Sequence, residues 1–297
     1  MRELVRSRAP RLVRMYRRRL AIVVARDRRH PRFSRWARAG ATLRDELGTA
    51  AITFEASGVW IRDERGLEWL YDPDVWLSAL GKELGLPYDE REIAHVRSRL
   101  SPGGAFIDVG AHVGGYSIPV AVLAPDAAVH AIEPAAETRS VLELNLARNS
   151  LQDRVRVWPY AIGDEPGRRS ISTGLGGSNH LLSGGAAIEV RTLDSLILPE
   201  CPRVDVVKCD IEGGELAALR GGATLLRRDR PDVIVELDRR LAGRYRLTPE
   251  ALVSYMRGLG YRPSRFGDGG EVTAGELDMT AAHGGNCLFR FARAPLS

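Results

Sequence analysis

From residue 105 onward, short apolar runs alternate with longer stretches of mixed polarity. Ala105–Val109, Ala128–Pro134, Val155–Asp164, Val204–Asp210 and Pro231–Leu237 read as strands. Helices are predicted over Tyr116–Leu123, over Ala135–Asn149, from Gly213 onward, and after Thr248. Thr248 is placed as an N-cap, with Pro249 at the first helical position. Arg169–Thr173 and Ile188–Leu193 read as two more strands, around a glycine-rich stretch, Gly174–Gly185, expected to be mobile. Tyr261–Phe266 and Asn286–Phe291 supply the closing strands. Near-continuous apolar strands alternating with helices predict a parallel sheet covered on both faces. Upstream, residues 51–72 read as short strands around an Asp-Glu-Arg-Gly turn. Pro87–Leu100 reads as a helix with Ile93, Val96 and Leu100 on one face. Three segments result: an extension over 1–50, accessory strands and a helix over 51–100, and a main domain over 101–297.

In open α/β sheets, ligands bind outside the carboxyl ends of the strands, at the switch point. That rule selects Asp108 to Gly114, Glu133, Ala161 to Asp164, Asp210 to Glu215, and Glu236 to Asp238. Each stretch carries acids or glycines.

The first of these, Asp108-x-Gly110-x-x-x-Gly114, is a glycine turn between a strand and its helix. A dinucleotide fingerprint would need G-x-G-x-x-G, and His112 stands where its second glycine belongs. A Walker loop would need a lysine after its last glycine, and the only lysines are Lys82 and Lys208. The pattern suits a ligand that lacks a pyrophosphate and carries a cationic amino group. Asp108 can pair with an ammonium, directly or through water, while Gly110 and Gly114 let the backbone come close. Glu133, at the end of the second strand, can accept two ribose hydroxyls. S-adenosylmethionine has an ammonium, a ribose and an adenine.

In the fourth strand's Lys208-Cys209-Asp210-Ile211-Glu212-Gly213-Gly214-Glu215, alternation puts Lys208 and Asp210 on one face. A lysine inside a parallel strand must be paired or functional. Glu212 and Glu215 sit in or before a helix's first turn, where carboxylates are stabilising without any chemistry. For those two, a structural role and a functional one both stay open.

Composition narrows the setting. The chain has 297 residues, 44% of them apolar, and suits a globular protein. No apolar run reaches the ~18 residues of a membrane span. Residues 1–50 hold 15 arginines and four acids, a surplus of +11. The whole chain carries only +5, so the remainder carries −6. Leu12, Tyr16, Leu20 and Val23 recur at helical spacing there, which predicts basic amphipathic helices. An anionic membrane surface, nucleic acid or an acidic partner would suit them, as would a plain solvated face. Without interleaved aromatics for base stacking, nucleic acid is not expected. The three cysteines show no paired spacing, which points to a reducing compartment, so the cytoplasm is the expected location.

At this stage the motifs resemble a known family. "FIDVGAHVGGYS", "AIEP", "YAIGD", "LDSL", "VKCDIEGGELAALRGG", "PDVIVEL" and "NCLF", in that order, are similar to the FkbM-type S-adenosylmethionine-dependent methyltransferases. The resemblance covers about residues 100–291. It implies a class I methyltransferase sheet, Rossmann-like, of seven strands with the last antiparallel. It also implies O-methylation of a hydroxyl on a secondary metabolite, a sugar or a glycolipid. Asp108, Gly110 and Gly114 match the cofactor turn and Glu133 the ribose acid, with Ala161 and Ile162 along the adenine. His112 departs from the family's usual asparagine and could reach the substrate.

An alcohol acceptor needs its proton removed by a base within hydrogen-bond reach. Asp210 is the first candidate, with Lys208 and His112 behind it. His180 and Glu212 are candidate substrate contacts, as is Glu236. An alternative, not favoured, has Asp210 and Glu236 hold Mg²⁺, though a third protein ligand is not evident. N- or C-methylation, an NAD-linked oxidoreductase and a non-catalytic binding protein remain the rival readings.

Overall fold

The strand-forming power of Val and Ile and the punctuation by Gly and Pro carry through to the observed elements. The structure is a computed structural model. It describes residues 51–55, 58–63, 65–71, 90–171, 181–182, 186–245, 247–266, 272–274 and 285–292. The basic helices expected within 1–50 lie outside these residues, as does His180. The chain divides into two units, Met1–Leu86 and Pro87–Ser297. In the first, β1 (Ala51–Glu55), β2 (Gly58–Arg62) and β3 (Glu68–Tyr71) form an antiparallel sheet in that order. The β2–β3 turn is held by Asp63, which accepts from the backbone N–H groups of Arg65 and Leu67 and from the Trp69 indole.

The second unit begins with α1 (Glu90–Arg99), so that helix packs beside the main sheet. It continues with β4 (Ala105–Val109), α2 (Ser117–Leu123), β5 (Ala128–Ile132), α3 (Ala136–Arg148) and β6 (Val155–Trp158). Then come β7 (Ala161–Ile162), β8 (Gly167–Ile171), β9 (Leu181–Leu182), β10 (Ala186–Arg191) and α4 (Leu193–Ile197). The chain goes on through β11 (Val204–Cys209), α5 (Glu215–Arg220), α6 (Ala223–Asp229), β12 (Asp232–Glu236) and α7 (Arg239–Gly243). It closes with α8 (Pro249–Gly258), β13 (Tyr261–Phe266), β14 (Val272–Ala274) and β15 (Asn286–Phe291).

The main sheet has the order β14-β13-β15-β12-β11-β4-β5-β6. From β12 to β6 neighbouring strands are parallel, and β15 runs antiparallel to both β12 and β13. This is the expected seven-stranded sheet with its last strand reversed, extended at one edge by the three residues of β14. Ile107, Val207, Val233 and Phe289 come from four adjacent strands and are fully buried in one core. Burying each such side chain contributes about 1.5–3 kcal/mol. The Thr248 hydroxyl accepts from the Ala251 N–H, and Pro249 opens α8, as predicted.

Two expectations are corrected. Val155–Asp164 is not one strand: it breaks at Pro159. Its second half becomes β7, which pairs with β10 in a separate sheet ordered β7-β10-β8-β9. Proline has no N–H for the ladder, so the chain changes sheets there. The helix expected from Gly213 begins at Glu215, because Glu212 and Gly213 both take positive φ, 61° and 110°, and form a turn first.

Candidate functional site

The carboxyl ends of β4, β5 and β11, together with β7, enclose a cavity of about 500 Å³. That size is within the range of small-molecule sites. Gly110, His112, Glu133, Ala161, Ile162 and Asp210 all line it, joined by Glu212. Seven separate stretches of sequence meet here, three of them following β4, β5 and β11, whose carboxyl ends share one edge of the main sheet. Tyr160, Tyr245 and Leu247 also face the cavity, and no spacing in the sequence pointed to them.

Glu133 follows β5 and is buried. Its Oε2 accepts the His112 N–H at 3.0 Å and its Oε1 the Ala135 N–H at 2.9 Å. A carboxylate has about four acceptor positions. Two are taken by the backbone, and capacity for two hydroxyl groups remains. Burial pushes its pKa up to about 7, against the pull of those two N–H groups. Ile132, Ala161 and Ile162 supply an apolar wall beside it. An acid with room for a ribose diol, next to an apolar wall, fits the nucleoside half of S-adenosylmethionine.

Asp108 is buried at the end of β4, and its Oδ2 accepts the Ser117 N–H at 3.1 Å and the Ser117 hydroxyl at 2.6 Å. It therefore ties the strand end to the first turn of α2, whose backbone dipole favours a carboxylate there. Gly114 has φ 99°, and a Cβ on it would meet Ile118 Cδ1 at 2.7 Å and Leu142 Cδ1 at 2.9 Å. Its missing side chain serves the packing of α2 and α3.

His112 takes φ 52°, in the left-handed region. That turn aims its N–H at Glu133, and the residue lines the cavity.

Lys208 and Asp210 share a face of β11 as expected, with Nζ donating to Asp210 Oδ2 at 3.1 Å. Lys208 is buried and its Nζ lies 4.6 Å from the centre of the Tyr116 ring. The Tyr116 hydroxyl in turn accepts from Asn286 Nδ2 at 3.1 Å. Asn286 is the register partner of Glu236 across β15 and β12. Burial and the nearby negative charges, Asp210 first among them, push the Glu236 pKa up to about 8. Tyr116 and Asn286 lay inside quoted motifs, "FIDVGAHVGGYS" and "NCLF", yet nothing in the sequence brought them together. Their contact is made across 170 positions.

Glu215 turns away from this chemistry: its Oε1 accepts from the Ile211 and Gly213 N–H groups, closing the turn before α5. Burial raises its pKa to about 7. Glu212 pairs with Arg244 at 3.3 Å on the cavity rim. Among the described residues, no group of three or more His, Cys, Asp or Glu is arranged to hold a metal ion. Asp210 and Glu236 stand as a pair of carboxyl groups. No helix among the described residues is long and apolar enough to cross a membrane.

The sheet order and the acid-and-glycine cavity at its carboxyl edge are those of an S-adenosylmethionine-dependent methyltransferase. The chain matches the model of the Methyltransferase FkbM domain over residues 108–263, and it belongs to that family. No curated protein matches it. Among solved structures it is similar to methyltransferase FkbM from Methylobacillus flagellatus KT, with 20% identity and a TM-score of 0.46. That match covers 65% of this chain and 44% of the other, so the chain spans less than half of that relative's length. It is also similar to a SAM-dependent O-methyltransferase from Thermotoga maritima, at 13% identity, covering 82% of this chain and 86% of that one, TM-score 0.41. A third is precorrin-6y C5,15-methyltransferase from Geobacter metallireducens GS-15, at 13% identity, covering 68% and 87%, TM-score 0.38.

Proposed function

We propose that this methyltransferase transfers its methyl group to a hydroxyl oxygen of a secondary metabolite, sugar or glycolipid. The observation that carries the proposal is Asp210. Its carboxylate stands on the cavity wall and is anchored from behind by buried Lys208 at 3.1 Å. S-adenosylmethionine, when bound, supplies a methyl group on a sulfonium, ready for in-line displacement. The chain's own residues then have three tasks. Glu133 accepts the ribose hydroxyls and the apolar wall of Ile132, Ala161 and Ile162 receives the adenine. Lys208 fixes the Asp210 carboxylate so that an acceptor hydroxyl meets an aligned base; such bases contribute about 10²–10⁴-fold. Burial and the nearby carboxylates, Asp210 first among them, raise the Glu236 pKa to about 8.

The arginine surplus of residues 1–50 suits an acceptor presented at an anionic membrane surface. The decisive experiment uses a donor with a ¹³C-labelled methyl group and a panel of hydroxylated sugars, glycolipids and polyketide-type alcohols. A product methyl carbon bonded to oxygen by NMR supports the proposal. A label found on nitrogen or carbon overturns it.

A further inference from the structure

At the opposite end of the sheet lies a second concavity, of about 890 Å³. It is bounded by the starts of β11 and β12 and by the neighbouring parts of β13 and β15. Five arginines converge on it, each from a different place in the chain. Arg99 ends α1, Arg203 precedes β11, Arg230 follows α6, and Arg262 and Arg290 come from β13 and β15. Abundant arginine in a sequence explains solvated faces, but not five arginines from separate parts of the chain lining one hollow.

The three acids of the concavity do not neutralise that set. Asp205 pairs with Arg203 at 2.7 Å and takes the Ser101 N–H. Asp229 takes the Val204 N–H and pairs with Arg228, outside the hollow. Asp232 is buried, held by His95 at 2.9 Å and Arg99 at 3.0 Å, and reaches Arg290 only at 4.0 Å. Among the described residues, no carboxylate pairs with Arg230 or Arg262. Arg262 and Arg290 are also direct register partners across β13 and β15. Like charges placed opposite one another destabilise a sheet, so this pair is an unfavourable feature on structural grounds alone. Arg230 lies over the Phe291 ring, 4.4 Å from its centre, which fixes the cation at the rim.

We propose that this concavity binds a phosphate-bearing anion, held by Arg230, Arg262 and Arg290. Guanidinium groups present planar pairs of N–H donors that match phosphate oxygens, and an anion between Arg262 and Arg290 turns their repulsion into shared attraction. The hollow lies at the amino ends of the strands, so its ligand is distinct from the methyl donor and from the acceptor. A free phosphorylated metabolite and a phospholipid headgroup offer the same chemistry.

The test uses the full chain at fixed ionic strength. Inorganic pyrophosphate should raise the melting temperature saturably, and Arg262→Ala/Arg290→Ala should weaken that apparent affinity at least tenfold. Residues 1–50 are unchanged in the variant, so any contribution of their arginines cancels. Should the double variant lose its cooperative melt, Arg262→Gln alone carries the comparison. In a second arm, the chain is co-sedimented with phosphatidylcholine vesicles with and without phosphatidylglycerol. Pyrophosphate binding that the variant loses assigns a free phosphate ligand, and vesicle binding that the variant loses assigns a headgroup. Equal behaviour of wild type and variant in both arms, or no binding in either, overturns the proposal.

Discussion

Gly110 and Asp210 meet where β4 and β11 end side by side: a Cβ added to Gly110 would lie 1.9 Å from the Asp210 carbonyl oxygen. Gly110 also holds φ 84°, which L side chains rarely adopt. Its freedom is therefore spent on another part of the protein's own backbone, which carries the candidate base, as well as on the cavity it lines. Gly110→Ala must push the two strand ends apart. Strain of this kind costs about 1–3 kcal/mol. A lowered melting temperature with a loss of methyl transfer at least as large as the loss of S-adenosylhomocysteine affinity is expected; an unchanged melt would contradict the close approach.

Asp210→Asn keeps the size of the side chain and its contact with Lys208 but removes the base. Turnover should fall about 10²–10⁴-fold while S-adenosylhomocysteine affinity, read by calorimetry, changes little. Loss of both together would make Asp210 a cofactor contact instead.

Glu133 has its pKa raised to about 7 by burial, and the ribose hydroxyls are best accepted by its ionised form. Cofactor affinity should therefore weaken as pH falls below about 7 and level off above it. Glu133→Gln should bind S-adenosylhomocysteine at least tenfold more weakly and lose the pH dependence. Calorimetry from pH 6 to 8 checks both, and a wild-type affinity flat across that range would remove the carboxylate from the ribose site.

Glu236 titrates near 8 in the folded chain, against 4.5 ordinarily. A raised acid pKa means that the folded state holds a proton the unfolded state has lost, so stability falls as pH rises towards 8. Glu133 and Glu215 act in the same direction but only up to about 7. His130, lowered to about 4 by burial, acts in the opposite direction and only below 6.5. All three acids thus lower stability as pH rises through the neutral range. Melting temperature should drop across it, and Glu236→Gln should flatten the drop.

His112 holds a left-handed backbone, φ 52°, that glycine adopts freely and asparagine tolerates well. The asparagine that the family resemblance leads one to expect is thus favoured there by conformation alone. His112→Asn should keep the N–H on Glu133 and the apo stability, with S-adenosylhomocysteine affinity within about threefold. A change in acceptor preference with cofactor binding intact would give the imidazole a role in substrate choice; equal kinetics on every acceptor would deny it one.

The sequence alone was enough for the layered α/β order, for both closing strands to the residue, and for the helix that Thr248 caps. These follow from local periodicity and capping, which neighbouring residues settle among themselves. It also placed Glu133 and Asp210 at one edge, because parallel strands must all end there, whereas Ala161 and Ile162 reach the same cavity on β7 of the second sheet. Tertiary structure decided the rest. It broke the third strand at Pro159 to build a second sheet, because a residue without an N–H ends the ladder. It set Tyr116, Lys208 and Asn286 against one another, as only the neighbouring of β4, β11, β12 and β15 can. It also gathered the arginines at the amino edge. Pairings across long stretches of chain depend on which strands become neighbours, and no local pattern encodes that choice.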